Sequence, residues 1–230
     1  MAIHRYLAMT DGEFSGNQLS GWRPAWMACH FSPYSSGITN LPTQLPKGSL
    51  LILNDRIPPM NCDSGKVLST LEQIIHTQSC AGLLLDFQQP DSRVLYDIAK
   101  ELIKLPCPVA VSLPYSKEFS CPVFLPPVPV LTPITDYLSR WNGREIWLEV
   151  ALSPTEIKVD TNGSKSEIVP YLNTPLPFKD QRLCCHYKLT LLDSCGTFHI
   201  QRTRQNLEDL MAQAAKHGVT TAVGLWQELK

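Results

Sequence analysis

The sequence predicts an α/β fold, a TIM-like (β/α)8 barrel in which several helices are reduced to loops. Eight short apolar runs recur along the chain, with the nearly continuous hydrophobicity of strands that are buried on both faces. The order strand, helix, strand, helix, strand between residues 49 and 113 is typical of a parallel sheet with crossover helices. The chain has 230 residues, which is short for this fold, so some helices must be replaced by loops.

The predicted strands follow directly from the apolar runs, each of which has the length of a buried strand. In order they are IHRYLAM (3–9), WMACHF (26–31), SLLILN (49–54), AGLLLDF (81–87), PVAVSL (108–113), CPVFL (121–125), EIWLEVA (145–151) and TAVGLWQ (221–227). We expect these eight strands to close into the barrel in this order, with neighbouring runs side by side and parallel.

The predicted helices have apolar residues on one face at helical spacing, and they cover residues 66–78, 91–105, 133–141 and 204–218. Two connections are unsuitable for a helix. The segment after the second strand, SPYSSGITNLPTQLPKG, is rich in proline and turn residues, and the linker PYSKEFS between the fifth and sixth strands is too short. Loops are therefore expected at these two places.

Residues 153–202 break the alternation of strands and helices. Two pairs of short strands flank turn signals at Asn162-Gly163 and at Ser194-Cys195-Gly196, which predicts two β-hairpins. We therefore divide the chain into a barrel made of residues 1–152 and 203–230 and an antiparallel β-hairpin insertion, residues 153–202, before the last strand.

Composition excludes some functional classes. The net charge of −1 gives no whole-chain field that would favour a nucleic acid or a membrane surface as partner. No run of 18 apolar residues is present, and the N-terminus lacks the apolar segment of a signal peptide, so we expect a cytoplasmic protein. Composition does not indicate an oligomeric state.

The eight cysteines are expected to be reduced thiols, because no secretory signal accompanies them. A cluster near the C-terminus invites a zinc interpretation; it comprises Cys184, Cys185, His186, Cys195 and His199. The cluster has no C-x-x-C spacing, and two consecutive cysteines would face opposite sides of a strand. We therefore expect neither a metal nor a cofactor.

Polar residues stand at the carboxyl ends of several predicted strands, where barrels of this kind place their sites. They are Asp11, Glu13, His30, Asn54, Asp55, Arg56, Asp86, Gln88, Gln89, Glu149, Trp226, Gln227 and Glu228. Acids and amides hydrogen-bond hydroxyl groups, and an indole stacks on a sugar face. Each residue also has an ordinary structural interpretation, such as a surface turn at Asp55 or a core position for Trp226. Together they predict a site for a polyhydroxylated ligand.

Two segments resemble family-18 glycoside hydrolases, the chitinases and their relatives. AGLLLDFQQP (81–90) is similar to the fourth-strand signature of that family, D-G-x-D-x-D-x-E, with Ala81 and Leu84 at the first two Asp positions, Asp86 at the third and Gln88 at the catalytic Glu. The last helix and strand, which end in GLWQEL (224–229), resemble the spore-cortex-hydrolase branch.

The resemblance implies a mechanism that this chain has partly lost. In the family the 2-acetamido group of the substrate attacks the anomeric carbon, the third Asp orients that group, and the Glu protonates the leaving oxygen. Gln88 has no labile proton to donate, and the sixth strand, CPVFLPP, lacks the Met-x-Tyr-Asp pattern of the family. The sequence therefore predicts a divergent relative that lacks the catalytic Glu.

Three hypotheses remain open. The first is a non-catalytic barrel that binds an N-acetylhexosamine glycan or a muropeptide. We expect its ligand-binding residues to be Asp55, Asp86, Gln88, Trp226 and Gln227, from their places at the strand ends and, for Asp86, Gln88 and Trp226, from the resemblance as well. The second is an active glycoside hydrolase with relocated acids, in which Asp86 works with Glu149 or Glu13. The third is a structural or protein-interaction barrel that uses the insertion as its contact surface. The sequence shows no secretory signal, which weighs against an extracellular glycan as ligand. A spore-associated location therefore remains open beside a cytoplasmic one.

Overall fold

The computed structural model describes residues 2–10, 13, 20–60, 62–161, 163–192 and 195–229, and it contains a closed barrel of eight parallel strands. In chain order the strands of this sheet are β1 (His4–Met9), β2 (Arg23–Phe31), the short added strand β3 (Ile38–Thr39), β4 (Leu50–Asn54), β5 (Gly82–Asp86), β6 (Val109–Ser112), β7 (Val123–Leu125), β8 (Ile146–Val150) and, after an insertion, β14 (Val219–Leu225). The predicted fold class is confirmed.

Closure is visible at β1, which pairs in parallel with both the last and the second barrel strand. Leu7 of β1 lies opposite Gly224 of β14 on one side and opposite Pro24 of β2 on the other. β4, β5 and β6 are adjacent and parallel, as the sequence order predicted. β3 is antiparallel to β2 and lies outside the ring.

The helices lie close to their predicted positions. They are α1 (Ser64–Gln78), α2 (Arg93–Leu102), α3 (Ile134–Leu138), α4 (Arg204–Ala214) and α5 (Trp226–Leu229). The α1 helix begins after Asp63, whose side chain accepts hydrogen bonds from the amides of Gly65 and Lys66. A capping box between Thr203 and Asn206 starts α4.

Loops replace helices at the two predicted places. The described residues 32–49 contain β3 but no helix, and only a 3₁₀ turn, Leu113–Tyr115, lies between β6 and β7. One strand boundary was predicted wrongly. β14 ends at Leu225, the last residue opposite β1, and Trp226 begins the short helix α5 instead of continuing the strand.

The barrel interior and the layer outside it are separate apolar clusters. The interior cluster includes Leu84, Phe124 and Trp147. The flanking residues of β5, Leu83 and Leu85, belong to the outer cluster that packs against α1 and α2. This alternation decides which side chains of each strand reach the mouth of the barrel.

The segment between β8 and β14 forms a second, antiparallel sheet. Its strands are β9 (Thr155–Asp160), β10 (Gly163–Ile168), β11 (Phe178–Asp180), β12 (Cys185–Leu192) and β13 (Cys195–Gln201), in the order β10-β9-β13-β12-β11. Both predicted hairpins are present, and β11 is an additional strand. Asn162 and Ser194 of the predicted turns lie outside the described residues, and the division at 153 and 202 into two units stays a prediction.

The cysteines of the suspected zinc cluster occupy separate environments. Cys184 is buried in the apolar cluster beside α4, Cys185 begins β12 and is buried in a separate cluster with Ile157 and Ile200 of the second sheet, and Cys195 is exposed. In the part of the chain that the structure describes, no three His, Cys, Asp or Glu side chains are grouped as metal ligands. Within the same residues, no helix combines the length and the apolar character needed to cross a lipid bilayer.

Candidate functional site

A cavity of about 1130 Å³ opens at the carboxyl ends of the barrel strands. Four residues of the sequence prediction line it together: Asp55, Asp86, Gln88 and Glu149. The lining also includes His30, Asn54, Arg56 and Gln89, which the sequence placed at strand ends. The position is the one where a (β/α)8 barrel carries its site.

The alternation of β5 explains why Asp86 points into this cavity, whereas Gln88 lines it from the loop directly after the strand. Leu84 belongs to the interior cluster, so Asp86, two places further along and the last residue of β5, shares its direction. Phe87, between them, is buried in the outer cluster instead. The end of β5 and the loop after it therefore present an acid and an amide side by side at the mouth, with Phe87 buried between them.

Asp86 is a half-buried carboxylate whose partner is the amide two residues later. Gln88 Nε2 donates a hydrogen bond to Asp86 Oδ1. Burial raises the pKa of Asp86, the hydrogen bond from Gln88 opposes that rise, and the nearby charge of Asp55 adds to it. The amide group thus directs one of its two N–H donors toward Asp86, and its second N–H and its carbonyl oxygen remain for a ligand.

Asp55 is buried and holds the loop that carries Gln88. Both of its carboxylate oxygens accept the backbone N–H of Gln88 at 3.0 Å, and Oδ2 also accepts the N–H of Gln89 at 2.8 Å. Tyr115 secures the same loop, since its hydroxyl donates to the carbonyl of Gln89 at 2.7 Å. Asp55 was predicted to bind ligand, and in the structure its hydrogen bonds position the loop.

Glu149 enters the cavity from β8. Its neighbours Leu148 and Val150 are buried outside the barrel in the cluster beside α4, so the alternation turns Glu149 inward. Burial, and then the negative charges of Asp86 and Glu228, raise the pKa of Glu149 from 4.5 to about 7. The carboxyl is therefore close to half protonated near neutral pH.

The side chains of Glu13, Trp226 and Gln227 lie outside the described lining of the cavity. Glu13 accepts hydrogen bonds from the backbone and hydroxyl of Thr10 at 2.8 and 3.1 Å, and from Gln227 Nε2 at 3.1 Å. Trp226 is half-buried against the outer cluster that includes α4 residues. Their assignments to catalysis and ligand binding stay predictions. Asp11 lies outside the described residues.

The proline-rich loop after β2 supplies a wall of the cavity that sequence reasoning missed. Asn40 and Leu41 from this loop line the cavity, and Trp26 Nε1 donates to the Asn40 carbonyl at 2.8 Å. Asn40 Nδ2 also contacts His30 Nε2 at 3.0 Å. Nothing in the local pattern of this loop marks these residues as part of a site, because only the tertiary fold brings them to the mouth.

Comparison with known proteins identifies the architecture. No family model matches the sequence, and no curated protein sequence matches it. The crystal structure of the Bacillus cereus spore cortex-lytic enzyme SleL matches the fold with a TM-score of 0.58 and 12% identity, over 97% of this chain and 70% of that one. The fold is similar to that of SleL.

The Bacillus megaterium SleL matches over the same shares of the two chains, 97% and 70%, with a TM-score of 0.55 and 8% identity. At such low identities the likeness to SleL establishes the fold alone. The roles of the cavity residues rest on their own geometry.

Proposed function

We propose that the protein binds an N-acetylhexosamine glycan or a muropeptide in the barrel-mouth cavity and does not hydrolyse it. The cavity is large enough for a few sugar residues, and its polar lining mixes carboxylates, amides and an imidazole. Such groups match the alternating donors and acceptors of sugar hydroxyls. The two SleL structures are of spore cortex-lytic enzymes, which supports a glycan as the ligand class.

The observation that carries the proposal is the side chain of Gln88. It stands two residues after Asp86, on the same inward face, where the family-18 resemblance places the catalytic acid. Its amide donates to Asp86 and cannot transfer a proton to a leaving oxygen. Phe124 of β7 lines the cavity, and the family's Met-x-Tyr-Asp pattern is missing from this strand. The proposed site therefore keeps side chains that can hydrogen-bond a sugar but has an amide where the family has its acid.

Glu149 favours a second candidate, an active glycoside hydrolase with relocated acids. A carboxyl with a pKa of about 7 suits a general acid near neutral pH, and Asp86 lies near enough to affect that pKa. In this candidate Glu149 protonates the leaving oxygen while Asp86 remains ionised. Glu13 is a weaker choice, because both of its carboxylate oxygens already accept hydrogen bonds within the chain.

Release of a fluorogenic aglycone from N-acetylglucosamine oligomers, followed between about pH 4 and pH 8, separates the two candidates. The proposal predicts no turnover by the wild-type protein. Turnover that both Asp86→Asn and Glu149→Gln abolish would establish the second candidate. Glu118→Gln is the matched control, since its side chain is exposed and lies outside the cavity lining.

A further inference from the structure

The strand β10 is an open edge of the antiparallel sheet. It pairs with β9 on one side, and the sheet order ends there. All six of its residues are exposed. An edge strand of this kind presents unpaired backbone donors and acceptors to any strand that approaches it.

The pairing with β9 fixes which backbone groups of β10 point away from the sheet. Ile168 lies opposite Thr155, and the amide of the next residue, Val169, donates to the Pro154 carbonyl at 3.1 Å. Because antiparallel pairs alternate between bonded and non-bonded, the odd-numbered residues bond to β9. The N–H and C=O groups of Ser164, Ser166 and Ile168 therefore point outward.

Both charged side chains of β10 lie directly opposite a like charge within their own hairpin. Lys165 lies opposite Lys158, and Glu167 lies opposite Glu156. Like charges that face each other across two strands are destabilising. Lys158 forms ion pairs with Glu156 at 2.8 Å and with Glu167 at 3.4 Å, whereas Lys165 forms no ion pair with the described residues.

We propose that β10 pairs antiparallel with β10 of a second copy of this chain, about a two-fold axis at Ser166. In this register Ser166 faces its own equivalent, and Ser164 faces Ile168 of the second copy, so all outward-pointing backbone groups are bonded. Lys165 then faces Glu167 of the second copy in a non-bonded pair, where side chains are closest. The charge order that is unfavourable in the hairpin is complementary across the two-fold axis.

The apolar face of the hairpin is consistent with this partner. The side chains of Ile168 and Val159 are 87% and 40% exposed and share one face of the sheet. In the dimer, Ile168 lies opposite Ser164 of the second copy, and Val159 of that copy lies directly beyond Ser164 on the same face. The contact is small, so the dimer is concentration-dependent rather than obligate.

Sedimentation equilibrium of the full chain over a range of concentrations tests the proposal with a charge swap. Lys165→Glu and Glu167→Lys, made singly, should each weaken dimerisation by about tenfold, because each puts like charges opposite across the axis. The double variant restores complementarity and should return the dissociation constant to near the wild-type value. Lys188→Glu, an exposed residue of β12, is the control and should change nothing.

Loss of the dimer in Lys165→Glu does not arise from a damaged hairpin, since the new carboxylate faces Lys158 and improves the internal pairing. Ser166→Pro removes an outward N–H from the edge and should abolish dimerisation. A wild-type protein that is monomeric at every concentration would overturn the proposal. So would dimerisation that Ser166→Pro leaves intact, or single charge variants that the second substitution does not rescue.

Discussion

Replacing Glu149 by Gln should make the protein more stable at alkaline pH while changing little at acid pH. Burial and the charges of Asp86 and Glu228 raise the pKa of Glu149 from 4.5 to about 7 in the folded protein. Between these two values the folded chain holds a proton that the unfolded chain has lost, so folding stability falls as the pH rises. With roughly 1.4 kcal/mol for each pKa unit, the loss reaches about 3 kcal/mol above pH 7. The amide introduced by Glu149→Gln cannot ionise, so the variant avoids this loss.

Urea unfolding of the wild-type protein and of Glu149→Gln at about pH 4 and about pH 8 measures this difference directly. The gain from the substitution should be near zero at the lower pH and about 3 kcal/mol at the higher one. Glu118→Gln, at an exposed position, should show no comparable pH dependence. An equal effect of Glu149→Gln at both pH values would refute the argument, because a change in packing alone does not depend on the proton.

Substitutions at three further positions test the fold around the site. Asp55→Ala removes the acceptor for two backbone N–H groups of the loop, those of Gln88 and Gln89, and should cost about 3 kcal/mol in urea unfolding, with a smaller loss for Asp55→Asn. Gly82→Ala would place a Cβ 2.7 Å from the Pro108 carbonyl, and it should lower the free energy of unfolding by about 1–3 kcal/mol. Trp226→Ala should lower the melting temperature, since the indole packs on the outer cluster, yet leave the dissociation constant for N-acetylglucosamine oligomers within about twofold of wild type. A large loss of sugar affinity in Trp226→Ala would instead support its predicted role in the site.

Much of the fold is predictable because its strands are short apolar runs with clear ends. The order around β4, β5 and β6 follows from the helices between them, since crossover connections force neighbouring parallel strands. The end of β14 is not predictable in this way. GLWQ is apolar enough to continue the strand, but the pairing of β14 with β1 ends where Leu225 lies opposite Ala8, and the chain then turns into α5.

The candidate site is predictable only where strand alternation decides it. Asp86 reaches the cavity because it shares the direction of Leu84 on β5, and Glu149 does so by the same rule on β8. Gln88 lies in the loop after β5, where hydrogen bonds from its backbone N–H to Asp55 hold it. Asn40 comes from a loop without periodicity, and nothing in the local sequence indicates that it meets His30. Contacts of this kind depend on long-range packing that no local pattern encodes.

Calorimetric titration of the wild-type protein with an N-acetylglucosamine tetramer, followed by mass spectrometry of the recovered sugar, tests the central claim most directly. We predict saturable binding at one site, recovery of the intact tetramer, and an affinity about tenfold lower in Asp86→Asn, which loses the charged acceptor at the cavity mouth. Absence of binding would contradict the proposed function. Recovery of cleaved sugar from the wild-type protein but not from Asp86→Asn would contradict the assignment of Gln88 as a lost acid and would identify the protein as a hydrolase.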